Sequence, residues 1–427
     1  MLMNQALLHP DVQAFIRQQE GADLYRLALQ KVAFEGVRTE EILNQIQFLK
    51  KIKSKVPYFY AQYHKGKALV FPPLLSYEQA SSQTSAEWKA EILAQQLPTN
   101  GTFADLTGGF GVDCFFIGSK AGEVFYVEQN PLLAQIVAHN FALLGLEARF
   151  FPLEAETFLK QCLSENKILD AVLIDPARRD SAQKKVFLLA DTRPDVVALL
   201  PLLAQSAKQI LLKTSPMLDI KAALAELERK GFWVEKVWVV SVENECKELL
   251  FLLQNERYFN PPITTQNLPS IEAVDFVKNG DSALIKKTFC FSFWEEENAS
   301  ASYSLPQKYL YEPSSALLKA GAFKVSALRL GLSKLHAHSH LYTGARFEPT
   351  FQGRIFEIQH LSKLDKKEIS LLIPEKKANI LVRNFPLTPA EIAKKLGFQQ
   401  GGKAFLIATT QKENKPILIV ATKINQF

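Results

Sequence analysis

Asp105-Leu-Thr-Gly-Gly-Phe-Gly-Val-Asp113 takes over from the apolar run Gly101-Thr-Phe-Ala-Asp-Leu106, closing it with a carboxylate and a glycine-rich turn. Two later runs close in the same manner. Glu123-Val-Phe-Tyr-Val-Glu128 leads into Val127-Glu-Gln-Asn-Pro131, and Leu169-Asp-Ala-Val-Leu-Ile-Asp175 delivers Ile174-Asp-Pro-Ala-Arg-Arg179. Three such segments in this order describe successive strand ends of one nucleoside-binding sheet, because open α/β folds take ligands at the carboxyl edge of their strands. Glycines 108, 109 and 111 let the backbone turn sharply and approach a ligand with no Cβ in the way. Glu128 is suited to accept charge-assisted hydrogen bonds from both hydroxyls of a ribose.

The spacing argues against a nicotinamide dinucleotide. That fingerprint needs a third glycine, whereas Gly109-Phe-Gly111 is followed by Val112, Asp113 and Cys114. Asp113 falls near the helix start where a pyrophosphate should bind. Asp105, just before the turn, repels phosphate and welcomes an ammonium. S-adenosylmethionine offers a ribose for Glu128, an ammonium for Asp105 and no phosphate, so among nucleoside ligands it fits these charges best.

At these residues, over roughly 75 to 255, the chain resembles the class I S-adenosylmethionine-dependent methyltransferases. The resemblance implies that Asp105, Gly108, Gly109 and Gly111 surround the methionine part, that Glu128 holds the ribose, and that Thr107 is a further cofactor-binding candidate. Glu154-Ala155, after the run Ala148-Arg-Phe-Phe151, matches the adenine-flanking position, and Asp175-Pro-Ala-Arg178 matches the catalytic motif facing the methyl group. Asp175, Pro176 and Arg178 are therefore the candidate catalytic residues, and Asp175 also borders the cofactor.

The composition, 47% hydrophobic and 22% charged over 427 residues, is that of a globular protein with room for two to four domains. The first ten residues lack the basic start and long apolar stretch of a signal peptide. No apolar run approaches the roughly 20 residues needed to span a bilayer. Four scattered cysteines form no close pair, which points to reduced thiols and a cytoplasmic location. From His336 to Phe427 there are 14 Lys and Arg against 7 Asp and Glu, while the preceding residues are near neutral. A basic C-terminal module on a neutral body suits either a polyanion-binding appendage or a lysine-rich solvated surface.

The expected architecture is α/β, a Rossmann-like class I methyltransferase sheet with an N-terminal helical segment and small α+β C-terminal domains. Residues 1–75 carry helical spacing in Asp11-Val-Gln-Ala-Phe-Ile-Arg17 and from Thr39 to Leu49, with Thr39 a candidate N-cap. Residues 76–257 alternate β and α patterns, which predicts a parallel sheet. Val234–Ser241 and Lys247–Leu253 lie close enough to make its antiparallel edge. A linker, Asn260–Pro269, opens 258–345, where Tyr309–Lys324 reads as a loop and a helix ended by Gly321. In 346–427, Thr388-Pro-Ala-Glu391 supplies a capping box. Tyr311-Glu-Pro-Ser-Ser-Ala-Leu-Leu-Lys-Ala-Gly-Ala-Phe323, Leu341-Tyr-Thr-Gly344 and Val382-Arg-Asn-Phe-Pro386 with Gly401-Gly402 resemble a bacterial methyltransferase family. Its members carry a ferredoxin-like domain and a C-terminal THUMP-like domain, and the relation to THUMP modules implies RNA, tRNA or rRNA, as partner.

Asp175 sits where a carboxylate could orient or deprotonate a nitrogen or oxygen acceptor. Arg178 and Arg179 could clamp a phosphate or stack on a base, or pair with Asp180 or Asp191 on the surface. Enzymes that methylate C5 of uracil need a cysteine ending the next strand. Here Lys213-Thr-Ser-Pro-Met217 ends it, so a covalent intermediate is disfavoured. The acceptor atom stays open, as do a protein or small-molecule acceptor and a non-catalytic cofactor-binding protein. His336, His338 and His340 would share one face of a strand as metal ligands must, or form a polar or RNA-contacting face. No acidic or cysteine ligand lies beside them and methyl transfer needs no metal, so none is expected. Lys50–Lys55 with Tyr58, Phe59, Tyr60 and Tyr63 reads either as a single-stranded nucleic-acid surface or as a helix end followed by core aromatics. Glu78–Thr84 is a candidate segment for closing over the cofactor.

Overall fold

The computed structural model describes residues 2–30, 34–178, 189–259, 269–278 and 284–424. They form two compact units: Met1–Lys213 with Met217–Trp233 and Leu252–Pro261, and Thr214–Pro216 with Val234–Phe251 and Pro262–Phe427.

In the first unit, β1 (Thr102–Asp105), β2 (Glu123–Val127), β3 (Arg149–Phe151) and β4 (Leu169–Ile174) are parallel neighbours in the order β4-β1-β2-β3. The short strands β5 (Ala177–Arg178) and β6 (Thr192–Arg193) pair antiparallel, and β7 (Ala207–Thr214) joins β4 in parallel. The strands β1 and β4 are apolar on both faces, with Phe103, Ala104, Ala171, Val172 and Ile174 fully buried, as a sheet covered by helices on both sides requires. The order reverses direction between β1 and β4. That is the switch point where such sheets bind ligands, and it places Asp105 and Asp175 beside one another at the carboxyl edge. The helix Pro131–Leu144 shows why the local sequence folds as it does. Asn130 Oδ1 accepts from the N–H groups of Leu132 and Leu133, Pro131 takes the first turn, and Gly145 stops the helix at φ 84°.

The N-terminal helices Pro10–Gln18, Leu24–Leu29, Thr39–Lys55 and Pro57–His64 belong to the same unit. Thr39 is the first helical residue rather than the cap. Its predecessor Arg38 takes that place, donating its backbone N–H to Glu41 Oε2 at 2.9 Å. Phe59 and Tyr63 are 1% exposed and belong to the core, while Tyr58 and Tyr60 are half-buried. Phe48 and Phe59 pack edge-on against Phe110 of the glycine loop, at 5.1 and 5.8 Å between ring centroids. The helical segment thereby floors the loop it precedes.

β8 (Phe232–Val242) and β9 (Glu245–Asn255), whose residues Val234–Phe251 fall in the second unit, are joined by Glu243 and Asn244, both at positive φ as a type I′ hairpin turn demands. β10 (Ser270–Lys278) runs parallel to β8, and β11 (Leu284–Ser292) antiparallel to β10. Seven further strands form a second sheet: β12 (Tyr309–Pro313), β13 (Ser333–Lys334), β14 (Tyr342–Gly344), β15 (Gly353–Ser362), β16 (Lys377–Arg383), β17 (Gln399–Gln411) and β18 (Lys415–Ile424). Their order is β13-β14-β12-β15-β18-β17-β16. Two expectations fail here. Tyr309–Pro313 is a strand rather than a loop, because its terminal Pro313 falls at the ladder's end opposite Gly353, where a missing N–H is tolerated. His336–His340 is a turn rather than a strand face, closed by the Leu335 N–H donating to Leu341 O, so its histidines do not align. Thr388 caps Pro389–Leu396 through the reciprocal bonds with Glu391 that its sequence predicts. Of the expected linker 260–269, only Pro269 lies within the described residues. Among the described residues no helix is long and apolar enough to cross a membrane.

Candidate active site

The loop after β1 is fixed by its own polar groups. Asp105, 2% exposed, accepts the Thr107 N–H at 3.0 Å, and the Thr107 hydroxyl oxygen accepts the Asp175 N–H at 2.7 Å. One threonine thus ties the ends of β1 and β4 together. Gly108 donates to Val127 O at 2.9 Å. A Cβ there would sit 2.2 Å from the Tyr126 ring, whose hydroxyl donates to Gly109 O at 2.5 Å. Gly109 and Gly111 stand at φ 55° and 78°, the left-handed region that glycine enters freely. Gly108→Ala is therefore expected to cost about 1–3 kcal/mol through overpacking and to abolish cofactor binding by displacing the turn. Thermal unfolding and calorimetric titration of the variant would check both.

Glu128 sits just past β2. Its Oε2 accepts from Gly109 N–H at 3.0 Å and its Oε1 from Asn130 N–H at 2.8 Å, which locks the carboxylate while leaving each oxygen a lone pair. Glu154, exposed, occupies the N-cap position of the helix Ala155–Ser164 beyond β3. Pro176 is buried behind Asp175. The Arg178 side chain, Arg179 and Asp180 lie outside the described residues.

The structure adds groups that the sequence reading passed over. Lys213, at the end of β7 and 8% exposed, donates to the Asp175 carboxylate. Lys89, fully buried in the helix Gln83–Ala94, stands 2.7 Å from Asp113 Oδ1 and 2.8 Å from Ser81 Oγ. Ser81 in turn donates to Asp113 Oδ2 at 2.7 Å. Ser81 belongs to the segment expected to close over the cofactor, and here it is pinned to the helix that follows the glycine loop. Asp113 is thus charge-compensated, and the case against a dinucleotide rests on Asp105 and the missing third glycine.

The charges respond to this layout. Burial pushes the Asp105 carboxyl up to about 8, with the neighbouring charges of Asp113, Asp175 and Glu128 adding to it against the Thr107 N–H. Burial also raises Asp175, and Lys213 opposes it. For Asp113 burial is outweighed by the charges of Lys89 and Lys213 and by hydrogen bonds from Lys89 and Ser81, so its carboxyl is held below the ordinary range. Asp105 and Glu128 suit a cation-bearing ligand with a ribose, and so the S-adenosylmethionine expected from the sequence, while the Asp175 carboxylate beside them is paired with Lys213. β7 ends in Thr214, and the Cys114 thiol is buried and raised well above its usual value, so neither offers a nucleophile.

In the second unit, His336 Nε2 meets Asn414 Oδ1 at 2.8 Å, and His340 packs on Phe323 with ring centroids 4.0 Å apart. Among the described residues no cluster of three metal-ligating side chains occurs.

Residues 309–351 match a ferredoxin-like domain family and 353–423 a THUMP domain-like family. β12 and β15, one from each match, pair with each other, so the two domains share a single sheet. A crystal structure from Porphyromonas gingivalis W83, provisionally named a methyltransferase, is 29% identical and superposes over 100% of both chains with a TM-score of 0.84. Uncharacterized S-adenosylmethionine-dependent methyltransferases of two Mycobacterium tuberculosis strains, CDC 1551 / Oshkosh and ATCC 25618 / H37Rv, are each 23% identical over 351 residues. Those matches cover 81% of this chain and 83% of each relative. With its parallel sheet, switch-point carboxylates and two C-terminal matches, the chain has the fold of the class I methyltransferases, followed by segments that match a ferredoxin-like and a THUMP-like domain.

Proposed function

We propose that this S-adenosylmethionine-dependent methyltransferase acts on RNA, tRNA or rRNA, and transfers the methyl group directly to a nitrogen or oxygen. The observation that carries the reading is the set of carboxylates at the ends of β1, β2 and β4, Asp105, Glu128 and Asp175, gathered around one glycine turn. S-adenosylmethionine supplies an electrophilic methyl group on a sulfonium. The chain's task is then to place the acceptor in line and to manage its proton. Glu128, already braced by two backbone N–H groups, would hold the ribose hydroxyls. Asp105 would face the ammonium, and Glu154 would flank the adenine. Thr107 couples the cofactor loop to the backbone of Asp175, so that cofactor and acceptor share one frame. Pro176 fixes φ immediately after Asp175 and so limits the paths the chain can take away from the sheet.

RNA is favoured over protein by the excess of 14 basic over 7 acidic residues in 336–427, which overlaps the THUMP-like match. The test is methyl incorporation from labelled S-adenosylmethionine into bulk RNA and, separately, into protein, both taken from a strain lacking this gene. Nuclease-sensitive counts are expected; counts confined to protein would overturn the RNA assignment.

A further inference from the structure

Resting on the reading of the chain as an RNA methyltransferase, we infer that the acceptor is a ribose hydroxyl oxygen, deprotonated by Asp175 and steadied by Lys213. Two observations lead there. Lys213 is a buried residue, 8% exposed, and donates to the Asp175 carboxylate, so acid and base are presented as a pair at the end of β4. A second ammonium, Lys89, lies wholly buried in the same charge cluster and bears electrostatically on both Asp113 and Asp175.

The charge that develops on the acceptor separates the two chemistries. A nitrogen attacking a sulfonium methyl becomes positive until its proton leaves, and a fixed ammonium beside it opposes that charge. A hydroxyl oxygen that gives up its proton becomes negative, and the same ammonium stabilises it. In the step itself an oxygen lone pair forms the new O–CH3 bond, and the C–S bond breaks with its electrons remaining on sulfur. The hydroxyl proton passes to the Asp175 carboxylate, and Lys213 holds the oxygen and the carboxylate in register. The balance closes with no metal and no external base.

The test uses the full-length protein, labelled S-adenosylmethionine and bulk RNA from a strain lacking the gene, followed by alkaline hydrolysis. Methylation of a ribose 2′-hydroxyl blocks cleavage at that position, so the label is expected in alkali-stable dinucleotides. Label in mononucleotides would overturn the oxygen assignment and leave the RNA reading standing. Label in protein only, or none at all, would overturn both. In parallel, K213M is expected to lower transfer about a hundredfold or more while calorimetric affinity for S-adenosylmethionine stays within about threefold, with partial recovery in K213R. Unchanged transfer by K213M, or equal losses in K213M and K213R with cofactor affinity intact, would remove Lys213 from this role.

Discussion

Asp175→Asn is expected to lower methyl transfer by at least about a hundredfold, the usual scale for removing a positioned proton acceptor, while leaving affinity for S-adenosylmethionine within about threefold. The separation follows from where the two functions are held. Glu128, proposed to hold the ribose, is fixed by hydrogen bonds from Gly109 and Asn130, and the glycine turn by bonds to Val127 and Tyr126, and the Asp175 side chain is not a partner in any of them. The Thr107 bond engages the Asp175 backbone and survives the substitution. An amide keeps the volume and can still accept from Lys213, but it cannot take a proton. Asp175→Ala removes the carboxylate facing Lys213 as well and adds destabilisation. That loss stays below the ~3–5 kcal/mol of a broken, fully buried pair, because the Asp175 side chain is 32% exposed. Single-turnover transfer and calorimetry on the same preparations separate the effects. Wild-type turnover in Asp175→Asn would take this residue out of the chemistry.

The strand ends were legible in the sequence because each closes a continuous apolar run. A parallel strand buried on both faces must be apolar, so any carboxylate or glycine at its end stands out, as Asp105, Glu128 and Asp175 do. The lysines were not legible for the complementary reason. Lys213 follows Gln209-Ile-Leu-Leu212 as the solvated end of a strand would, and Lys89 follows Trp88 within a polar, helix-like stretch. Only tertiary placement makes them buried cations. A single residue carries no signal that its partner, Asp175 or Asp113, waits many positions away. His336–His340 misled through its period of two, which is the spacing of a strand face. The turn there is set by tertiary bonds, His336 to Asn414 and Ser339 Oγ to Thr410 O, that alternation cannot encode. The β12 strand was obscured by its Glu-Pro-Ser ending, since proline is unexpected in a ladder except at its last rung.

Asp105→Asn is expected to weaken cofactor binding strongly and, at the same time, to make the ligand-free protein more stable at alkaline pH. The carboxyl titrates at about 8 in the folded chain against about 3.9 when unfolded, so between those values the folded state holds a proton that the unfolded state has released. Stability from this group is therefore fully present below about pH 4, is lost as pH rises towards 8, and is flat above it, at about 1.4 kcal/mol per pH unit within the window. The asparagine variant lacks this loss, so the gap between variant and wild type should widen from pH 6 to pH 8 in thermal unfolding. Binding runs with the opposite sign. An ammonium placed beside Asp105 favours its ionised form, so S-adenosylmethionine must expel the proton at neutral pH. Its affinity should rise with pH, by up to about tenfold per unit, and level off near pH 8. Calorimetry in buffers of different ionisation enthalpy should record close to one proton released per cofactor at pH 7 in the wild type, and none in Asp105→Asn. Proton release that persists in the variant would place the ammonium elsewhere, with Asp175, whose carboxyl burial also raises, as its partner. The Thr107 N–H offsets only part of the burial that raises Asp105, so a bound ammonium would supply the remaining compensation, which is the reason for proposing it as a binding group.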